Sequence, residues 1–265
     1  MANGQQLIAK IMITRAEIVD IKSLATKQGR EELGAFIAEG EKLVGEIRNS
    51  SLRIRRILQT KPIFSDGEMI SEKEMGRISQ LKTANSVLAV VELPRHSLAK
   101  AQPAENLVLA LDRVQNPGNL GTIIRLADWF GISDIVCSED TADCFNPKVV
   151  QATMGAILRV RVHYTNLSQW LAAQHNTKIY GTFLEGENIY SAQLDKSGVV
   201  VMGNEGQGIS AEVAEAVTNK LLIPPYPADR SGSESLNVAV ATAVICSEFR
   251  RETRDERRET REMQN

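Results

Sequence analysis

Cysteine is scarce in this chain. Its three residues, Cys137, Cys144 and Cys246, form no Cys-x-x-Cys pair. That excludes a disulfide framework. With only three histidines, at no ligand spacing, it also excludes a zinc finger or ribbon, and no metal is expected. Cys137 and Cys246 sit in apolar runs and read as small buried residues, which suits a reducing cytoplasm. No apolar run approaches the roughly 20 residues of a membrane helix, and the N-terminus lacks the apolar core of a signal peptide. A soluble, cytoplasmic protein is expected, with no membrane partner. Neither sign of charge dominates, because the net is −2, so no global basicity announces a polyanion. Internal repeats, a phosphate loop and a dinucleotide fingerprint are also missing.

What is present is 43% hydrophobic residues, enough for a sizeable core in one or two domains. Charge divides unevenly between the parts. Residues 1–100 carry 16 Lys and Arg against 12 acids, a net of +4. Residues 101–265 carry 15 against 21, a net of −6. A basic front part suits contact with a polyanion, although an ordinary solvated surface gives the same count.

The front part alternates helical and strand patterns. Thr14 with Glu17, and Ser71 with Glu74, have capping-box spacing. A helix is expected near Glu39–Arg48. Leu52-Arg53-Ile54-Arg55 alternates like a half-buried strand, and Val87–Val91 is a short apolar strand. Pro94–Ala104 has linker composition. Beyond it the rhythm is that of a parallel α/β domain. Strands are expected at Leu107–Leu111, Ile135–Cys137, Val160–Val162, Ile179–Leu184, Val199–Met202 and Leu221–Ile223. Helices are expected at Leu120–Trp129, Lys148–Ile157 and Leu167–Gln174, after Ser210, and from Leu236 onward. Gly131 stands where a C-cap glycine belongs. The tail Glu248–Asn265 holds six arginines and six acids, a solvated helix end or an RNA contact.

Three stretches of the second half are not ordinary structural patterns. Asn116-Pro117-Gly118-Asn119 is turn chemistry after a strand, opening a helix whose free N–H groups favour anions. Arg125 follows within two turns, so both it and Asn119 are candidates to reach the strand's C-terminal edge, where open α/β sheets bind ligands. Taken alone, Asn119 is equally a helix cap and Arg125 a surface ion-pair partner. Met202-Gly203-Asn204-Glu205-Gly206-Gln207-Gly208 places glycines around Glu205, allowing backbone to approach a ligand closely. Ser235-Leu236-Asn237 opens the last helix, and Ser235 is a good N-cap residue.

In this order, over roughly residues 106 to 249, the three stretches resemble the motifs of the SpoU (TrmH-like) RNA ribose 2'-O-methyltransferases, within the SPOUT superfamily. The segment Phe36–Val44 is similar to one in the small substrate-binding domain that precedes many such catalytic domains. The resemblance implies an α/β fold. A ribosomal-protein-like α/β domain over 1–100 would bind the RNA. A SPOUT α/β/α domain over 101–265 would carry a parallel sheet and a deep trefoil knot, ending in a charged helix. It implies S-adenosylmethionine as cofactor and a homodimer with sites near its interface. Arg125 matches the catalytic arginine, either as a base or as an orienting cation. Asn119, Glu205, Ser235 and Asn237 match further active-site positions. Gly203, Ile223, Leu236, Thr182 and Gly181 match or neighbour cofactor-binding positions.

The chain departs from the family pattern twice. Pro224–Glu234 is about four residues longer than the usual connection, and Gln151 stands where an arginine is frequent. The expected activity is methylation of ribosomal RNA, chosen over transfer RNA because of the front domain. A non-catalytic RNA-binding or assembly protein on the same fold is the alternative. Arg53, Arg55, Arg56 and Lys61 are candidate RNA contacts, or a charged strand edge that blocks aggregation.

Overall fold

The computed structural model describes residues 12–227 and 235–251. The charged end 252–265 and the stretch 228–234 of the long connection lie outside them. Two units are distinguished by internal packing. One runs through Arg95 and also takes Asp143–Arg159; the other takes His96–Ala142 and continues from Val160.

The first unit opens with α1 (Arg15–Ser23) and α2 (Lys27–Leu33), followed by β1 (Ala35–Glu39) and α3 (Glu41–Arg48). β2 (Ile54–Gln59), β3 (Glu68–Met69), α4 (Glu72–Ile78) and β4 (Val87–Glu92) complete its main run. The expected capping boxes form at Thr14 with Glu17 and at Ser71 with Glu74. β4 lies between β1 and β2 and is antiparallel to both; β3 is parallel to β2. Both faces of β1 are buried, Phe36 and Ala38 in one apolar cluster and Ala35 and Ile37 in another.

The second unit begins with β5 (Leu107–Leu111), α5 (Pro117–Trp129) and β6 (Asp134–Ser138). α6 (Pro147–Ala152) belongs to the segment counted with the first unit. Chemistry explains that assignment: Phe145 packs its ring on Phe36 with centroids 4.8 Å apart, and Val150 joins the cluster of Phe36 and Val44. The expected helix Lys148–Ile157 is broken, because Met154 and Gly155 take φ of 51° and 91°, and only a 3-10 turn follows.

The chain continues with β7 (Arg161–Thr165), α7 (Leu167–Ala172), β8 (Ile179–Asn188) and β9 (Gly198–Met202). It ends in α8 (Ala211–Ala214), β10 (Asn219–Leu222) and α9 (Val238–Phe249). The six strands form one wholly parallel sheet in the order β10-β8-β9-β5-β6-β7. β5 and β9 are buried along their full length, as continuous Val/Leu runs in a covered parallel sheet should be. α5 ends at Phe130 with Gly131 at φ 65°; Ile132 N–H bonds Ala127 C=O and Gly131 N–H bonds Asp128 C=O, the Schellman pattern. β8 outruns its expected end, and its pairing with β10 jumps from Gly181 opposite Lys220 to Glu187 opposite Leu221.

Among the described residues no helix is long and apolar enough to cross a membrane, and no cluster of His, Cys, Asp and Glu is arranged to hold a metal ion. The three cysteines are buried and form no disulfide, and burial pushes Cys246 up to about 12, far from a reactive thiolate.

Arg30 ties the first unit across 113 residues of sequence. Its Nε donates to Asp143 Oδ2 at 3.0 Å and its Nη1 to Leu24 C=O at 2.8 Å, with the side chain only 3% exposed. Removing one member of a buried pair strands the other charge. Arg30→Ala should therefore destabilise this unit by about 3–5 kcal/mol, read as a lower urea midpoint. A loss under about 1 kcal/mol would show the pair to be no stronger than a surface one.

Candidate active site

The C-terminal ends of β5 and β9 and the first turn of α9 converge on a chain of side chains. Asn116, not Asn119, caps α5: its Oδ1 accepts from Gly118 N–H at 2.8 Å and Asn119 N–H at 3.1 Å. The Asn119 side chain is thereby released. Asn237, not Ser235, caps α9, its Oδ1 accepting from Ala239 and Val240 N–H at 3.0 and 3.3 Å. With that oxygen occupied, Asn237 can offer only its Nδ2, which donates to Asn119 Oδ1 at 3.1 Å. Asn119 must then present its own Nδ2 outward, and it donates to Glu205 Oε1. Each amide is oriented by the one before it, and the series ends on a carboxylate. Glu205 Oε2 has no hydrogen bond among the described residues.

Glu205 is held by a tight loop. Asn204 and Gly208 bond reciprocally through their backbones at 3.0 and 2.9 Å. Asn204 Oδ1 accepts from Gly206 and Gln207 N–H at 2.9 and 3.1 Å, and its Nδ2 donates to Arg113 C=O at 2.8 Å. Below the loop, buried Asp112 accepts Ser210 N–H on Oδ2 at 2.6 Å. Ser210 stands at the N-cap of α8, yet its own side chain makes no capping bond.

Three of the five expected catalytic residues, Asn119, Glu205 and Asn237, are thus joined. Ser235 is exposed just ahead of Asn237 and makes no hydrogen bond among the described residues. Arg125 is not joined to them within one chain. At about 100° per residue on a helix, six residues turn it about 120° around α5 from Asn119. It lies on an exposed stripe with Gly118, Thr122 and Trp129, and makes no ion pair or hydrogen bond among the described residues. The two side chains therefore leave α5 in different directions.

The expected cofactor positions lie where parallel strands end. Thr182 follows the buried part of β8, with Oγ1 3.4 Å from Val201 C=O. Gly203 follows β9, Ile223 follows β10 and Leu236 precedes α9, half exposed. Neither Ile223 nor Leu236 makes a backbone–backbone hydrogen bond among the described residues. The two glycines have internal duties. A Cβ on Gly203 would stand 2.3 Å from Gly208 C and 2.4 Å from Ile209 N, and one on Gly181 would stand 2.9 Å from Val217 Cγ2.

In the first unit, most of the expected RNA-contact arginines are engaged internally. Arg56 grips Glu68 through Nε–Oε1 at 2.9 Å and reaches Glu17 at 2.7 Å. These partners hold its pKa above the ordinary guanidinium value, the Glu68 hydrogen bond foremost. Arg55 donates to Leu33 and Gly34 C=O at 2.6 and 3.1 Å and reaches Glu92 at 3.3 Å. Arg53 is 79% exposed and lies 3.5 Å from Glu92, whereas exposed Lys61 has no partner among the described residues.

Sequence reasoning passed over Asn116, Asp112 and Arg113. The signal for the first is an asparagine directly before a proline at a helix start. The signal for the others is a charged pair at the end of an otherwise apolar strand.

A six-strand parallel sheet with this polar cluster at its strand ends defines a ligand-binding α/β domain, preceded by a smaller α/β unit. Comparison with known proteins makes the class specific. Residues 106–247 match the SpoU rRNA Methylase family, and residues 15–90 match the MRM3-like substrate binding domain. The chain is 35% identical over 246 residues to the 23S rRNA (guanosine(2553)-2'-O)-methyltransferase RlmP of Bacillus subtilis, covering 88% of this chain and 96% of that one. It is 28% identical to the 23S rRNA (guanosine-2'-O-)-methyltransferase RlmB of Neisseria meningitidis, covering 77% and 84%. Among solved structures it is similar to the AdoMet-bound rRNA methyltransferase of Sinorhizobium meliloti. The TM-score is 0.81 at 29% identity, covering 91% of this chain and 97% of that one. The protein belongs to the SpoU rRNA methylase family, within the SPOUT methyltransferases.

Gly203→Ala should overpack the loop that carries Glu205. The expected cost is about 1–3 kcal/mol of stability, with cofactor affinity falling as the loop shifts. Thermal unfolding and calorimetry with S-adenosylhomocysteine check this; a variant equal to wild type in both would mean that the loop yields freely.

Proposed function

We propose that this protein transfers a methyl group from S-adenosylmethionine to a ribose 2'-hydroxyl of ribosomal RNA. The observation that carries the reading is the oriented series Asn237, Asn119, Glu205, lying at the strand ends inside the family-matched region. Residues so linked yet far apart in sequence are costly to keep on a scaffold that does no chemistry, which disfavours a purely RNA-binding role. RNA as substrate follows the relatives, two of which are named for 23S rRNA.

Thr182, Gly203, Ile223 and Leu236 would hold the cofactor, the peptide groups of Ile223 and Leu236 binding its polar edge, with Gly181 buried beneath. The cofactor supplies a methyl group on a sulfonium, poised for direct displacement. The chain's own residues must align the hydroxyl and lower its proton affinity. Glu205 Oε2 accepts a hydrogen bond from the ribose hydroxyl. Its carboxylate is a weak base beside an alcohol, so its main contribution is orientation. Arg125 brings a planar guanidinium with five N–H donors. As a cation it orients the hydroxyl and stabilises the oxygen as negative charge develops there. Ser235 lies beside Asn237, available as a further donor to the substrate.

The domain roles follow. Residues 1–100 select the RNA by shape and phosphate contacts, and 101–265 form the methyltransferase domain. Exposed Arg53 and Lys61 would contribute RNA contacts. A deep trefoil knot in this domain is part of the same reading and rests on the family match. A homodimer is supported by α5 and α9, which leave Trp129 83% and Val240 53% exposed beside the unpaired Arg125. Three buried cysteines without a disulfide suit a reducing cytoplasm.

Purified protein should transfer label from methyl-tritiated S-adenosylmethionine to unmodified rRNA, at a nucleotide that then resists alkaline cleavage. Failure to label any rRNA would refute the reading. Arg125→Lys, lacking the planar fork, should lose about 100-fold or more in rate, the scale of a lost transition-state donor, with an unchanged unfolding midpoint. A near-normal rate would remove Arg125 from the site.

A further inference from the structure

Arg113 stands two residues beyond β5 in a conformation its type disfavours. Its φ is 57°, left-handed territory that glycine and asparagine occupy more readily. Two bonds hold it there: its N–H donates to Ser138 Oγ at 2.8 Å, and its C=O accepts from Asn204 Nδ2 at 2.8 Å. Both use backbone alone. A glycine would make them with less strain, so the reason for an arginine lies in the side chain.

Inside the fold that side chain is poorly satisfied. Nη1 donates to Gln207 Oε1 at 3.1 Å, an amide on an exposed loop tip. Nε is buried without a hydrogen-bond partner, and its nearest charge, Asp112 Oδ1, lies 3.5 Å away. The side chain is 29% exposed, and its remaining guanidinium N–H groups are unclaimed among the described residues. A cation with spare donors thus rests on the C-terminal edge of the sheet, gripping the loop that presents Glu205.

We propose that Arg113 binds a backbone phosphate of the RNA beside the target nucleotide, holding the strand so that its ribose faces Glu205 and Asn119. This rests on the rRNA methyltransferase reading for the identity of the polyanion. The planar fork matches a phosphate's paired oxygens, and partial burial strengthens the attraction. Such a contact positions the strand without reading its bases. The strained backbone fixes where the fork begins, which a freely rotating surface arginine lacks.

The test uses the full chain and an unmodified 23S rRNA transcript, with RNA affinity measured across a salt series. S-adenosylhomocysteine affinity and thermal unfolding are measured on the same samples. Arg113→Gly should be at least as stable as wild type and should bind S-adenosylhomocysteine within twofold. Its RNA affinity should fall about tenfold, with a salt slope shallower by about 0.7–0.9 for one lost phosphate contact. Arg113→Asn, which also tolerates the left-handed backbone, should behave alike. Gln207→Ala removes the tether but keeps the cation, and should bind RNA within about threefold of wild type. Unchanged RNA affinity and slope in both Arg113 variants would overturn the proposal. So would a drop of several degrees in both, with Gln207→Ala weakening RNA binding equally; Arg113 would then serve only to offset Asp112 and brace the loop. Wild-type protein that binds RNA with this slope difference but transfers no methyl would refute the catalytic reading and leave the phosphate contact standing.

Discussion

The candidate site depends on how the last helix is capped. Four N–H groups at the start of α9 need acceptors, and Asn237 Oδ1 takes two of them. That single commitment decides the orientation of everything beyond it. Asn237 has only a donor left, Asn119 must meet it with oxygen, and Asn119 nitrogen must face Glu205. A capping bond of ordinary strength, about 1 kcal/mol, thereby sets the direction of hydrogen bonding across three segments that lie far apart in the chain. Pre-orientation of this kind is paid during folding and costs nothing when substrate arrives.

Much of this was legible in the sequence, and the remainder was obscured for identifiable reasons. Period and cap signals located most strands and helices because those signals are local, but α2, β1 and β3 were not read from them. Asn119 and Ser235, by contrast, both look like helix caps, and local chemistry cannot say which asparagine or serine of a cluster takes the role. Asn116 and Asn237 take it, three residues before Asn119 and two after Ser235. The difference matters, since a cap spends its oxygen on backbone. The break in the helix expected over 148–157 was hidden because Met154 gives no hint of a left-handed backbone. Likewise, Arg55 and Arg56 read as free cations in sequence. Their partners Leu33, Glu17 and Glu68 come from other elements.

The glycines show a similar division between signature and duty. They entered as residues that leave room for a cofactor. Gly203 and Gly181 also leave room for the chain itself: backbone at 208–209 fills the space of one Cβ, and Val217 and Phe183 fill that of the other. The shape of any cleft at these strand ends is then set by how closely the chain packs there.

Electrostatics sets the last constraint. Residues 101–265 carry a net charge of −6, and Glu205 and Asp112 put two carboxylates near the strand ends. A phosphodiester approaching such a surface meets repulsion unless cations lie close, because at physiological salt a field decays within about 8 Å. The excess of +4 over residues 1–100 can attract RNA but cannot by itself neutralise phosphates at the point of chemistry. That task needs arginines within the acidic half that keep N–H donors to spare. Arg125 and Arg113 satisfy the condition in different ways, one by facing outward from α5 with no partner among the described residues, the other by a strained backbone that holds an underused fork at the sheet edge. On the proposed reading, the uncharged amides and Glu205 would orient the reacting hydroxyl, and the two arginines would answer the charge of the strand that carries it.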